Sequence, residues 1–194
     1  YYAGWEYDGT GRRAIYFKDG VKTTLPNLNA SGESEATSIL VTGGEIIVTG
    51  YSSDSSGYQT PGYWRNGTWN SLPRLDTTED GLATDAIFVG ADLYIVGYSA
   101  DGSGNSVPGY WKNNQWNALS VPDAGRSSQA ASIAVDGGNI YIGGTGKTPL
   151  VNNLATYFKK RFRTYIIKKN YFSHLDEKKL LESKHKVIFE KTRE

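Results

Sequence analysis

Short apolar runs recur along residues 1–144, separated by polar, glycine-rich stretches. Residues 38–41 are echoed by 86–89 and 132–135, and residues 46–49 by 93–96 and 140–142. Short continuous runs of this kind predict strands buried on two faces. A third strand is predicted around Tyr63-Trp64 and Tyr110-Trp111, and a fourth over 69–72 and 116–119.

The pattern holds a fixed register. Tyr16-Phe17, Tyr63-Trp64 and Tyr110-Trp111 are each 47 residues apart, and so are Leu25, Leu72 and Leu119. Gly50, Gly97 and Gly144 keep the same step, as do Ile46, Leu93 and Ile140, and Trp69 with Trp116. Self-similarity at such a period is the signature of a repeat architecture. The turn residues agree. Gly43-Gly44 and Gly137-Gly138 stand between first and second strands, where positive φ is needed. Asp19-Gly20, Asn66-Gly67 and Asn113-Asn114 stand between third and fourth strands, a strong hairpin signal. The second-to-third loops carry Asp8/Gly11, Asp54/Gly57 and Asp101/Gly104.

Four short strands, hairpin links and a period in the forties describe a propeller blade. The stretch AIFVGADLYIVGYSADGSGNSVPGYWKNNQWNAL at 86–119 resembles bacterial β-propeller repeats. That resemblance spans residues 1–144. It implies a mainly β chain and an incomplete β-propeller. Residues 1–34 supply three strands, 35–129 two whole blades and 130–144 two strands more. Propellers usually close with four or more blades. The expectation is an open fragment, a piece of a longer product, or a protomer that closes by self-association.

Charge and composition split the chain near Gly144. Residues 1–144 carry 8 Lys+Arg against 15 Asp+Glu; residues 145–194 carry 13 against 5. All five Trp and all but one of the 23 Gly lie before residue 145. Two domains are expected, 1–144 as repeats and 145–194 as a basic α/β tail. The chain has no Cys, which excludes disulfides and thiolate metal sites. No apolar run reaches the length of a membrane span. The sequence opens at Tyr1 and reads as a mature or trimmed form.

The tail begins with the one motif that suggests chemistry. An apolar strand at 140–142 leads into Gly143, Gly144, Thr145, Gly146, Lys147 and Thr148, followed by Pro149 at a first helical position. Bare backbone amides and a helix start attract phosphate. Lys147 would reach the β- and γ-phosphates and Thr148 would ligate Mg. The strict phosphate-loop pattern asks for Gly where Tyr141 stands. GGTGKTP after an apolar strand looks like tetraacyldisaccharide 4′-kinase, the lipid A kinase. Asp176-Glu177, Leu180-Leu181, Val187-Ile188 and Arg193 are similar to that family's next stretch. The resemblance covers residues 140–194 and implies ATP and Mg binding for phosphoryl transfer to a glycolipid, at the cytoplasmic face of the inner membrane. Lys168-Lys169-Asn170-Tyr171 departs from the family's pattern, and the downstream acidic motifs are absent from the sequence. A helix over 149–161, a strand at 164–167, a charged helix at 175–183 and a short strand at 186–190 complete the expected tail. A second reading of the same text makes 155–159 the third strand of a degenerate blade, because Tyr157-Phe158 lies 47 beyond Tyr110-Trp111.

These residues support two functions. One is a non-catalytic binding or scaffold module with a protein or carbohydrate ligand, exported or periplasmic as such propellers commonly are. On that reading Trp64, Trp69, Trp111 and Trp116 pack between blades rather than stack on sugars, the loop aspartates cap their own turns rather than bind calcium, and no cofactor is expected. The other is an ATP-binding fragment with a kinase-like reaction. Both His174 and His185 lie beyond residue 144, so the repeats hold no Ser/His/Asp arrangement. Lys and Arg are too sparse there for nucleic acid. The histidines and the basic run at 159–163 read as solvated surface.

Overall fold

The computed structural model describes residues 1–120, 125–144, 166–169 and 187–190. The chain divides into two compact units, Tyr1–Thr145 and Gly146–Glu194. The first is built from antiparallel sheets. Strands β1 (Tyr2–Tyr7), β2 (Arg12–Lys18) and β3 (Val21–Thr24) form one. Strands β4 (Ser34–Thr42), β5 (Glu45–Ser53), β6 (Gln59–Arg65) and β7 (Thr68–Ser71) form the next. A third contains β8 (Gly81–Val89), β9 (Asp92–Ala100), β10 (Ser106–Lys112) and β11 (Gln115–Ala118). β12 (Ala130–Asp136) and β13 (Asn139–Gly144) pair in a fourth. This is the expected count of three, four, four and two strands.

The hairpin turns follow the residue chemistry. Asn66, Gly67, Asn113 and Asn114 all take positive φ, as do Asp19, Gly20, Gly43 and Gly44. Two-residue turns with both residues in that region match the twist of the flanking strands. Asn66 and Asn113 add a bond: their Oδ1 atoms accept from Ile46 N (2.9 Å) and Leu93 N (3.0 Å).

First and second strands run longer than the apolar pattern predicts. The cause is a bulge, at Ala36/Ser38 in β4, Ala83/Asp85 in β8 and Ala130/Ser132 in β12. An extra residue there lets pairing continue into a polar segment. Gly50, Gly97 and Gly144 face these bulges. A Cβ on any of them would overlap the carbonyl of Glu35, Leu82 or Gln129 respectively. That close approach explains the glycine column.

Each sheet shares a core with the next. Ala14, Leu25, Ala36, Val48 and Trp64 fill the first interface. Ile47, Tyr63 and Leu72 meet Ala83, Ala86, Leu93, Ile95 and Trp111 in the second. Val96, Ala130 and Ile133 form the third. Polar bonds cross the same interfaces. Trp64 Nε1 donates to Pro26 O (2.7 Å) and Trp111 Nε1 to Pro73 O (2.9 Å). Thr37 Oγ1 donates to Ala83 O and Thr84 Oγ1 to Ala130 O, both at 2.7 Å. Asp85 accepts from Ser38 Oγ (2.9 Å) and from Ile133 N (3.1 Å), tying three sheets together.

In the second unit β14 (Ile166–Lys169) and β15 (Val187–Glu190) pair in parallel. β14 overlaps the strand expected at 164–167, of which residues 164 and 165 lie outside the described residues. β15 falls within the expected 186–190. The expected elements at 149–161 and 175–183, the rival strand at 155–159, both histidines and the basic run at 159–163 lie outside the described residues.

Candidate functional site

Antiparallel strands alternate direction. The links β1–β2, β5–β6 and β9–β10 therefore open at the same end of their sheets as the crossovers β3–β4 and β7–β8. This loop end is held by a repeated aspartate. Asp8 Oδ1 accepts from Thr10 N (2.8 Å) and Gly11 N (3.0 Å). Asp54 Oδ1 accepts from Ser56 N (2.9 Å) and Tyr58 N (3.1 Å). Asp101 Oδ1 accepts from Ser103 N (2.9 Å) and Asn105 N (3.0 Å). Each carboxylate caps its own turn.

These bonds favour the charged form. The Thr10 hydroxyl and the amides of Thr10 and Gly11 hold Asp8 far below the usual carboxylate range. The amides of Asn105 and Ser103 lower Asp101. Burial pushes Asp54 up, but the Arg74 guanidinium and the amides of Ser56 and Tyr58 outweigh it and leave Asp54 lowered. Arg74 pairs with Asp54 at 2.7 Å and also donates to Glu79 O (2.9 Å), so it stitches a crossover to the neighbouring loop. Arg13 does the same elsewhere, pairing with Asp8 at 2.6 Å and donating to Gly32 O.

Exposed apolar side chains sit on this pinned backbone. Leu28 and Leu75, 47 residues apart, are both exposed, and Tyr58 is exposed on the loop between them in sequence. Their crossovers are anchored alike: Leu28 N donates to the buried Ser52 Oγ and Leu75 N to the buried Ser99 Oγ, both at 2.8 Å. Sequence reading passed over Leu28 and Leu75, though their shared 47-residue step was a signal. Among the described residues no group of three or more His, Asp or Glu could hold a metal ion.

The four tryptophans of the third and fourth strands pack within the sheets. Trp64 and Trp111 are completely buried and cannot stack on a ligand. Trp69 and Trp116 lie against them with ring centroids 4.5 Å apart. Gly62 and Gly109 make this possible, since a Cβ there would strike the Trp69 or Trp116 indole. Gly62 and Gly109 also keep the 47-residue step, directly before the Tyr-Trp pairs that the sequence marks.

The expected phosphate loop is placed only in part. Gly143 and Gly144 belong to strand β13, not to a loop; they pair with Ser132 and Ala130. Gly144 is the third glycine of the bulge column, so backbone packing accounts for it. Thr145, Gly146, Lys147 and Thr148 lie outside the described residues, and with them the expected ATP and Mg contacts. No helix among the described residues is long and apolar enough to cross a membrane. The sequence matches no family model and no curated protein among those with which it was compared.

Proposed function

We propose that residues 1–144 form a non-catalytic β-propeller-type module that binds a protein or carbohydrate ligand through its loop end, or serves as a scaffold. One observation carries this reading. The bonds from each sheet to the next repeat at a constant offset, 46 residues for Thr37 to Ala83 and Thr84 to Ala130, and 38 for Trp64 to Pro26 and Trp111 to Pro73. A constant relation between neighbouring sheets is what blade-on-blade packing requires. Electron microscopy tests the architecture: sheets packed face to face, each turned from the last about a common axis, are expected. A saturable interaction on glycan and peptide panels, lost in a Leu28→Ser/Leu75→Ser double variant that keeps its fold, tests the loop end. Equal binding by the double variant counts against it.

A second reading rests on the parallel pairing of β14 and β15. Parallel strands need a crossover of about a dozen residues or more, usually helical. That fits an α/β nucleotide-binding tail related to the lipid A kinase. Calorimetry with Mg·ATP on the wild type and Lys147→Ala distinguishes the two. Binding lost on substitution supports the tail as an ATP site; no binding leaves the propeller module alone.

A further inference from the structure

Two hairpin tips begin with the same residue and hold it differently. Asn66-Gly67 joins β6 to β7, and Asn113-Asn114 joins β10 to β11. Both first asparagines are exposed, with φ 51° and 49°. Both are pinned twice to the second strand of their own sheet. Asn66 N donates to Ile46 O (2.8 Å), and Asn66 Oδ1 accepts from Ile46 N (2.9 Å). Asn113 N donates to Leu93 O (2.9 Å), and Asn113 Oδ1 accepts from Leu93 N (3.0 Å). Exposure and backbone therefore do not distinguish them.

The side-chain nitrogens do. Asn113 Nδ2 donates to Asp92 Oδ1 at 2.7 Å. The acid at the matching place beside Asn66 is Glu45, and its oxygens accept from Arg65 instead, from Nε at 3.0 Å and from Nη2 at 2.6 and 2.8 Å. Asn66 Nδ2 has no partner among the described residues. The following residue differs as well. Asn114 carries a side chain; Gly67 carries none, and nothing lies within 4 Å of where its Cβ would stand. Gly67 N makes no hydrogen bond among the described residues. The backbone nitrogen after an asparagine is an intramolecular nucleophile towards the side-chain carbonyl carbon, and closing so small a ring costs little entropy. Glycine crowds that nitrogen least, because it has no Cβ.

We propose that Asn66 is a self-modifying site, at which water is the co-reactant and the side-chain amide is exchanged for a carboxylate. Gly67 N gives its proton to solvent base and bonds to Asn66 Cγ. The charge that develops on Oδ1 meets the Ile46 N–H already donating to it. The Cγ–Nδ2 bond breaks, the departing nitrogen takes up a proton, and ammonia leaves a cyclic imide. Water then adds to either imide carbonyl, and the bond from that carbonyl to Gly67 N opens. Opening at the side-chain carbonyl gives aspartate. Opening at the main-chain carbonyl gives isoaspartate, with the chain running through the side-chain carbon. Nothing is oxidised or reduced. Aspartate suits the turn, since Asp19 stands at this place in the first sheet with φ 51°. Isoaspartate adds a carbon to a two-residue turn and so disturbs the β6–β7 ladder that sets Trp69 against Trp64. At Asn113 the leaving nitrogen is held by Asp92 and the nucleophile bears a substituted carbon. This inference concerns a hairpin tip and does not depend on what binds the loop end.

The test is incubation of the full chain in mildly alkaline buffer, followed by peptide mapping. The readouts are the mass gain from amide to acid and methyl transfer by an isoaspartyl methyltransferase. Conversion at Asn66 is expected to run at least about tenfold faster than at Asn113. Gly67→Asn copies the sister turn, whose Asn114 holds φ 69°, and should slow conversion at Asn66 at least about tenfold while the fold is kept. Asn114→Gly removes the substituent at the sister turn but leaves Asn113 Nδ2 on Asp92, so Asn113 should still convert more slowly than Asn66. No conversion at Asn66, equal rates at the two turns of the wild type, or a rate indifferent to Gly67→Asn would overturn the proposal. Asn113 converting in Asn114→Gly as fast as Asn66 does would overturn the protection assigned to Asp92.

Discussion

Strands β5 and β1 occupy equivalent places in successive sheets, and they live in different surroundings. β5 is covered on both edges, by β4 and by β6, and its side chains from Ile47 to Ser53 are buried. Among the described residues β1 is paired on one edge, by β2, and Tyr2, Trp5 and Tyr7 are exposed. Val48 and Ser53 of β5 fit a crowded interior where β1 carries Tyr2 and Tyr7, while Tyr51 and Trp5 are both rings and differ only in exposure. The difference teaches that the repeat prescribes backbone, not exposure. Burial at any one position is contributed by the neighbour, so identical positions differ in their tolerance of change.

The sharpest way to break this comparison is to put the same side chain at both glycines. Gly50→Val forces a branched side chain into the Glu35 carbonyl and is expected to cost about 4 kcal/mol or more. Gly4→Val meets open space and is expected to change stability by no more than about 0.5 kcal/mol. Urea denaturation of both variants measures it; equal losses would end the distinction between the two strands. Next in size are the tryptophans. Trp111→Ala empties a fully buried site and is expected to cost about 3–5 kcal/mol, whereas Trp5→Ala should fall within about 0.5 kcal/mol of wild type in the same measurement.

Acid probes the loop end instead of the core. Asp8, Asp54 and Asp101 all have folded values below the ordinary 3.8, so between those values and 3.8 the unfolded chain binds more protons. Their contribution is complete above about pH 4 and is lost as pH falls through the folded values. Asp54→Asn should be less stable than wild type at pH 7, and the gap should narrow as pH falls below 3.8 in pH-jump denaturation curves. A gap independent of pH would show that the Arg74 pair is not what holds the loops. The smallest effect is a gain. Trp69 Nε1 donates to Ser71 Oγ at 2.8 Å, but Ala118 stands at Ser71's repeat position and the buried Trp116 Nε1 has no partner among the described residues. Ala118→Ser should restore the bond and add about 1 kcal/mol, seen as a small rise in Tm.

The sequence by itself determined the number of strands in the first unit, their grouping and their turns. Those features are local: a two-residue turn with positive φ selects Asn and Gly, and a buried short strand selects a short apolar run, whatever surrounds them. Trp64 and Trp111, 47 residues apart in sequence, are both fully buried. Two things were decided only by tertiary contact. The equivalence of Gly4 with Gly50 is invisible at a 47-residue step, because β1 is offset by one residue and only its ladder with β2 reveals the match. Gly143 and Gly144 read as a phosphate loop from their spacing, yet they lie in β13 because Gly144 must pass the bulge before Ser132. The glycines and the exposed Leu28 and Leu75 acquire meaning from the strand or loop beside them. A neighbour distant in sequence leaves no mark on local pattern, only on which side chains there is room for.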